Sequence, residues 1–247
     1  LVELEKIKNN FKRIYSPLPL PNAVRDNFNK AILLISEAKL ARERSDLALA
    51  DAKLEKARNL MVGSDTKART MLEDYFDNLP KWKNQVKAAI DLSANQNTSA
   101  LIINKMEHQC FLYKNGQLRN KFGAEFGPNW MGHKNRRGDH ATPEGTYRIV
   151  NKKDHYKTIY HKALLINYPN NDDRVRYSSN IASGNRSRRH DFGGLIEIHG
   201  GGGRGFDWTN GCVALTDRDM DIVYGLVSED TPVVIVGSLE PLEKYTN

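Results

Sequence analysis

The chain is poor in cysteine, with two in 247 residues, Cys110 and Cys212. Two thiols cannot form a disulfide framework, and no Cys-x-x-Cys pair is present to suggest a zinc knuckle or a redox dithiol. Long apolar runs are missing as well. The longest, Ala31–Ile35 and Ala163–Ile166, are far too short to cross a bilayer, so no membrane span is expected. Nine prolines and an ordinary balance of 39% hydrophobic and 27% charged residues exclude a collagen-like or disordered chain. From Leu1 onward there is no charged segment, apolar run and small-residue cleavage site, so no export signal is visible. The net charge is +7, concentrated in His133–Arg137 and Asn185–His190. Without a zinc finger, an aromatic RNA-binding signature or a basic heptad array, this excess reads as a solvated basic face, and nucleic acid is not an expected partner.

The hydrophobic period changes once along the chain. Residues 1–97 read as helices, beginning with an apolar stripe of Leu1, Leu4, Ile7, Phe11 and Ile14. Pro17, Pro19 and Pro21 then break the chain. From Val24 to Met61 the spacing predicts one long helix, with Leu33, Leu40, Leu47, Leu54 and Met61 recurring every seven residues beside Ala50 and Ala57. Gly63-Ser64-Asp65 reads as its stop and as the cap of the next helix. That helix carries Leu72, Tyr75, Phe76 and Leu79, and Pro80 separates it from a segment with Trp82, Val86 and Ile90. The result is a helical hairpin or bundle, read first as a spacer and second as an arm that positions a protein partner or substrate.

A polar joint, Ser93–Thr98, leads into short strands, and Asn115-Gly116 is a strong two-residue hairpin signal. Further strands are expected near 145–150, 163–168, 195–198, 212–215 and 232–236, with one helix capped at Thr216-Asp217. The whole is an α+β chain in two parts: a helical region over 1–97, a mostly β sandwich-like domain over 98–237, and a tail over 238–247.

The chemistry concentrates in Ile196–Leu215. His199 ends an apolar strand, a glycine-rich loop follows, and Cys212 sits after Gly211 where the next strand begins. A thiol is a poor nucleophile until deprotonated, and an imidazole beside it can take that proton and return it to a leaving amine. Glycines leave backbone N–H groups free to face an oxyanion, with Gly211 and Cys212 the natural donors. Taken singly, a buried cysteine and a strand-end histidine are usually structural; so many glycines in one strand connection are harder to assign to packing. Trp208 either lines a groove or packs the loop. The other histidines lack paired-ligand spacing, and no metal site is read from them.

These pieces together resemble the L,D-transpeptidase catalytic domain, also called the YkuD or ErfK domain. Its hallmark is an apolar strand ending His-Gly, a loop, then Ser/Thr-His-Gly-Cys. Here it is matched by Ile196–Gly200 and Thr209–Val213. Gly138–Tyr147 contains a Thr-Pro-x-Gly segment, and Leu165–Asn170 and Asp230–Ile235 are similar to further strands of the family. The likeness covers residues 98–237, favours a branch with Gly-Cys-Val/Ile-Ala, and is silent on 1–97.

The resemblance implies that Cys212 attacks a peptidoglycan stem peptide and that His199 serves as base and then acid. It also implies that the Gly200 carbonyl orients the imidazole and that Gly211 and Cys212 supply the oxyanion N–H groups. Thr209, Asn210 and Trp208 are the expected substrate-binding residues, and no metal or organic cofactor is implied. An amine acceptor would complete a transpeptidation, and water would make the enzyme a carboxypeptidase or endopeptidase or release a wall-linked protein. Asn210 replaces the usual histidine, and Ala214 stands where cross-linking members often have Arg or Asn. The implied location is the periplasm or cell surface. A wall-binding or scaffolding module with a vestigial site is the alternative from another class. A sortase-like or papain-like enzyme fits less well, because of the short His-to-Cys interval and, for papain, the order of the two residues.

Overall fold

The computed structural model describes residues 2–183 and 191–246, so the basic stretch Asn185–His190 lies outside the described residues. The chain divides into two compact units. One runs through Asp77 and includes the segment from Leu242; the other spans Asn78–Pro241.

The first unit is helical: α1 (Val2–Tyr15), α2 (Asn22–Glu43) and α3 (Leu47–Phe76), with the short C-terminal α7 (Glu243–Thr246). Leu4, Phe11 and Tyr15 form the buried stripe of α1, and Phe11 stacks on Phe28 of α2 with ring centroids 3.8 Å apart. The single helix expected over 24–61 is two. It breaks at Ser45, which takes a left-handed φ of 61°, and Asp46 caps α3 by accepting the Leu49 N–H at 3.0 Å. The expected stop at Gly63-Ser64-Asp65 is helix interior.

The leucine heptad is corrected by the same fold-back. Leu33, Leu40 and Leu47 are more than half exposed, while Ala31, Leu34, Ile35, Ala38 and Ala41 of α2 face Ala50, Ala57 and Met61 of α3. Alanine every seven residues lets the two backbones approach closely, so alanine rather than leucine marks the seam.

The second unit opens with α4 (Leu79–Asn95), started by Pro80 in its first turn. Trp82, Val86, Ala89 and Ser93 of α4 are buried against strands, so this helix packs with the β domain although its period reads with the helices before it. Eight strands follow: β1 (Ser99–Asn104), β2 (Gln109–Lys114), β3 (Gln117–Gly123), β4 (Gly145–Asp154), β5 (Lys162–Ile166), β6 (Glu197–His199), β7 (Val213–Ala214) and β8 (Pro232–Val236). They form one curled sheet in the order β3-β2-β1-β8-β4-β5-β6-β7. The long β4 turns it: Gly145–Arg148 pairs with β8, and the strand beyond a register shift at Ile149/Asn151 pairs with β5. Asn115 and Gly116, both at positive φ, make the β2–β3 hairpin. Helix α5 (Asn171–Ala182), which the sequence pattern did not suggest, is closed by a capping box between Asn170 and Asp173. Helix α6 (Asp217–Leu226) is capped by Thr216 as expected. Pairing is antiparallel except for β1–β8 and β6–β7. The β6–β7 exception carries the candidate site.

The continuity of α3 makes a prediction. A Cβ added at Gly63 would meet nothing within 4 Å. Gly63→Ala is therefore expected to stabilise the protein by about 0.8 kcal/mol, the ordinary glycine-to-alanine gain in a helix interior. Urea unfolding followed by helical circular dichroism measures this, and a loss of stability would restore Gly63 as a helix terminus.

Candidate active site

The site starts from the parallel pairing of β6 with β7. Ile198 lies opposite Val213 and His199 opposite Ala214. Alternate residues of a strand share a face, so continuing the ladder by one residue puts Cys212 beside Glu197, on the face that carries His199. The Glu197 N–H points at Cys212 Sγ from 3.4 Å, and Sγ lies 3.7 Å from the Leu195 carbonyl oxygen.

His199 is fully buried. Its Nδ1 is 2.6 Å from the Gly200 carbonyl oxygen. A carbonyl only accepts, so Nδ1 carries the proton and Nε2 keeps its lone pair. Among the described residues Nε2 has no hydrogen-bond partner. Tyr160 stacks on the imidazole at 3.5 Å, nearly parallel, and Trp208 meets it edge-on at 5.8 Å. The ring is held by the face of Tyr160, by an edge contact with Trp208 and by a peptide carbonyl on Nδ1.

The loop between the two residues is tied down by carboxylates. Glu125 accepts from the Gly205 N–H and the Trp208 Nε1–H, both at 2.7 Å, and its backbone bridges to Ala214. Asp207 accepts the Phe126 N–H at 2.8 Å and lies 2.9 Å from His108 Nε2. Asp217, at the start of α6, accepts the Gly201 N–H at 2.8 Å. The Arg204 guanidinium covers the Trp208 ring at 3.6 Å. Trp208 therefore braces both the loop and the imidazole.

Thr209 is buried inside the turn. Its hydroxyl donates to the Cys212 carbonyl at 2.8 Å and accepts the Gly211 N–H at 3.1 Å. The Thr209 hydroxyl thus spends its proton and one of its two lone pairs on bracing the turn. The Gly211 N–H, expected to face an oxyanion, points at that hydroxyl. Gly211 has φ +115°, and a Cβ there would lie 2.5 Å from the Ala141 carbonyl oxygen, so the position admits only glycine. Asn210 is exposed and lines an open groove of about 510 Å³ with Lys134, Arg137, Gly138, Gly193, Gly194 and Leu195.

The Thr-Pro-Glu-Gly segment forms an inner wall. Fully buried Lys105 reaches the carbonyls of Trp130, Gly132 and Thr142 and pairs with Glu144 at 2.7 Å. In the basic loop, Lys134 is also buried and bonds to Asp139 at 2.7 Å, so this part of the positive run is structural. Glu125, Tyr160, Lys105 and Asp217 had no distinct mark as site residues in the sequence. Glu125, Tyr160 and Asp217 come from other parts of the chain, and the fold brings them to the His199–Cys212 connection.

Burial sets the resting charges. It pushes the Cys212 thiol up to about 11, against the pull of the Glu197 N–H and of Lys134 and Lys153. Burial also lowers His199, opposed by its bond to Gly200 and by the Glu197 carboxylate. Glu197 is itself paired with Lys153 at 2.7 Å. The pair thus rests as thiol and neutral imidazole rather than as an ion pair. Alkylation of Cys212 by iodoacetamide should then accelerate about tenfold per pH unit from 7 to 9 without levelling, as thiolate is the reactive form. Cys110, fully buried and pushed up to about 12, should stay unmodified. Peptide-resolved mass spectrometry checks both, and a plateau near neutrality would mean a resting thiolate–imidazolium pair.

Residues 98–235, more than half of the chain, match the L,D-transpeptidase catalytic domain family, YkuD. Comparison with curated proteins finds no match. Among solved structures, the chain is similar to the helical cell shape determining protein Pgp2 from Campylobacter jejuni. Identity is 24% with a TM-score of 0.44, over 58% of this chain and 49% of that one. It is similar to Bd1075 of Bdellovibrio bacteriovorus at 18% identity and a TM-score of 0.44, over 62% and 53%. An L,D-transpeptidase from Mycobacterium smegmatis follows at 14% and 0.37, over 56% and 58%. The chain thus spans about half the length of these structures. By the extent of its family match, the chain belongs to the L,D-transpeptidase (YkuD) catalytic domain family.

Proposed function

We propose that this protein is a cysteine acyl-transfer enzyme acting on peptidoglycan stem peptides, with Cys212 as nucleophile and His199 as base and then acid. The observation that carries the reading is the tautomer of His199. The Gly200 carbonyl fixes the proton on Nδ1, which leaves a buried Nε2 lone pair with no partner among the described residues, on the face of the sheet that holds the thiol.

The pair rests neutral, so the proton leaves Sγ for Nε2 as the sulfur attacks the peptide carbonyl. An S–C bond forms, the carbonyl becomes an oxyanion, and the Cys212 N–H is the donor beside it. For the Gly211 N–H to join, its bond to Thr209 must be exchanged for the oxyanion. Collapse breaks the C–N bond, and imidazolium returns its proton to the departing amine. A second amine then attacks the thioester while Nε2 takes its proton; the new C–N bond forms, the S–C bond breaks, and imidazolium returns the proton to sulfur, giving an L,D-transpeptidation and the free thiol. Water in place of that amine makes the same site a hydrolase. The substrate places the enzyme in the periplasm or at the cell surface. Among the described residues the helical unit carries no polar constellation of this kind, and a spacer role suits it best.

The test is mass spectrometry of disaccharide-tetrapeptide and of tetrapeptide-linked dimers incubated with the wild type and with Cys212→Ala. Loss of the terminal residue or formation of a new dimer by the wild type, reduced to background in the variant, is expected. Turnover that survives Cys212→Ala removes Cys212 as nucleophile. No turnover by the wild type favours a wall-binding module.

A further inference from the structure

The Gly200 carbonyl orients His199, but a carbonyl in a run of four glycines needs an anchor of its own. Its peptide group is shared with the N–H of Gly201, and in a planar trans peptide the two point in opposite directions. Asp217 Oδ1 accepts that N–H at 2.8 Å, while His199 Nδ1 donates to the carbonyl at 2.6 Å on the other side. We propose that Asp217 is a positioning residue for the His199 imidazole, acting through the Gly200–Gly201 peptide group. The proposal rests on the reading of His199 as the base.

Two further observations support it. The neighbouring peptides are pinned elsewhere: the Gly200 N–H donates to the Lys162 carbonyl at 3.0 Å and the Gly202 N–H to the Leu215 carbonyl at 2.8 Å. Among the described residues, the peptide between them is held by Asp217 and by the imidazole it orients. Gly201 sits at φ +86°, a glycine-favoured conformation with no side chain to fix the peptide, so Asp217 is what holds it from the N–H side. Second, a Cβ on Gly200 would lie 2.4 Å from Asp217 Oδ1, so the carboxylate is packed directly against the glycine whose carbonyl matters.

A plain helix-start role would explain an acid at this position but not its direction. Thr216 already caps α6 through the Asp219 N–H, while the Asp217 carboxylate turns to the Gly201 N–H. Its carboxylate is exposed, so solvent screens its charge, and its effect on the imidazole is one of geometry more than of field. Glu197 and Arg204 are the charged groups that act on the ring itself.

The experiment uses the full chain with Asp217→Ala, Asp217→Asn and, as a control for lost charge in the same helical turn, Asp219→Asn. Nitrogen-15 NMR of the imidazoles, assigned with His199→Gln, reads the tautomer without substrate. The wild type and Asp219→Asn should show a single Nδ1–H form, and Asp217→Ala a mixture. Asparagine retains the acceptor and should restore the single form. On a stem peptide, Asp217→Ala should lower kcat by about 10- to 100-fold with KM little changed, since a small misplacement of a reacting group costs that much. Asp217→Asn should stay within a few-fold of wild type. A single Nδ1–H tautomer in Asp217→Ala overturns the proposal, as does an equal kcat loss in Asp219→Asn. If the wild type has no turnover, the functional reading fails while the tautomer measurement still decides the role of Asp217.

Discussion

The parallel pairing of β6 with β7 is the constraint from which the site follows. Parallel neighbours require the chain to leave one strand and re-enter the next in the same direction, which takes a dozen or more residues and usually a helix. Here residues 200–212 make the return without a helix or strand. An unsupported connection of that length would be loose, so its polar groups are answered one by one. Glu125 takes Gly205 and Trp208, Asp207 takes Phe126, Asp217 takes Gly201, and the Phe126 carbonyl takes Thr209. Four of these five bonds involve residues 125–126, whose backbone also extends the sheet beyond β7. The loop that joins His199 to Cys212 is in effect the wall around them.

That architecture also settles the electrostatics. A thiol and an imidazole buried on one sheet face lose hydration, and burial disfavours each charged form. Lys134 and Lys153 pull the thiol the other way, but each is already paired, with Asp139 and with Glu197. Their fields are partly cancelled, and the neutral pair prevails. A thiol near 11 is mostly protected from adventitious oxidation and alkylation at neutral pH, because the thiolate is the reactive form.

Much of this was legible in the sequence, and the failures have physical reasons. His199, Cys212 and Gly200 stand out because a strand end, a glycine-rich connection and a thiol occur within one short stretch, where local pattern suffices. The β strands and the Asn115-Gly116 turn were legible for the same reason. The bonds of Thr209 to Gly211 and Cys212 were not legible, because a hydroxyl beside a cysteine looks the same in sequence whichever way it turns, and hydrogen-bond direction decides that. The α2–α3 break was misread because leucine spacing continues across Ser45, while the local αL conformation and the Asp46 cap override it. Glu125 and Tyr160 lie on other elements and had no periodic or motif signal. The placement of α4 on the sheet is a tertiary choice that its amphipathic pattern does not encode.

The use of a peptide carbonyl, rather than a carboxylate, to orient His199 is consistent with this electrostatic setting. A carboxylate directly on Nδ1 would favour imidazolium and, with a thiol alongside, would draw the pair toward a resting ion pair. A neutral acceptor fixes the same tautomer with less bias toward charge. Placing Asp217 one peptide away keeps the direction of the hydrogen bond while moving the negative charge to the solvent-exposed side of the loop. Orientation and charge are thus separated: the backbone supplies the first, and the second is left to develop as the proton moves. The glycine at 200 is what permits it, because any side chain there would occupy the space of the carboxylate that holds the peptide.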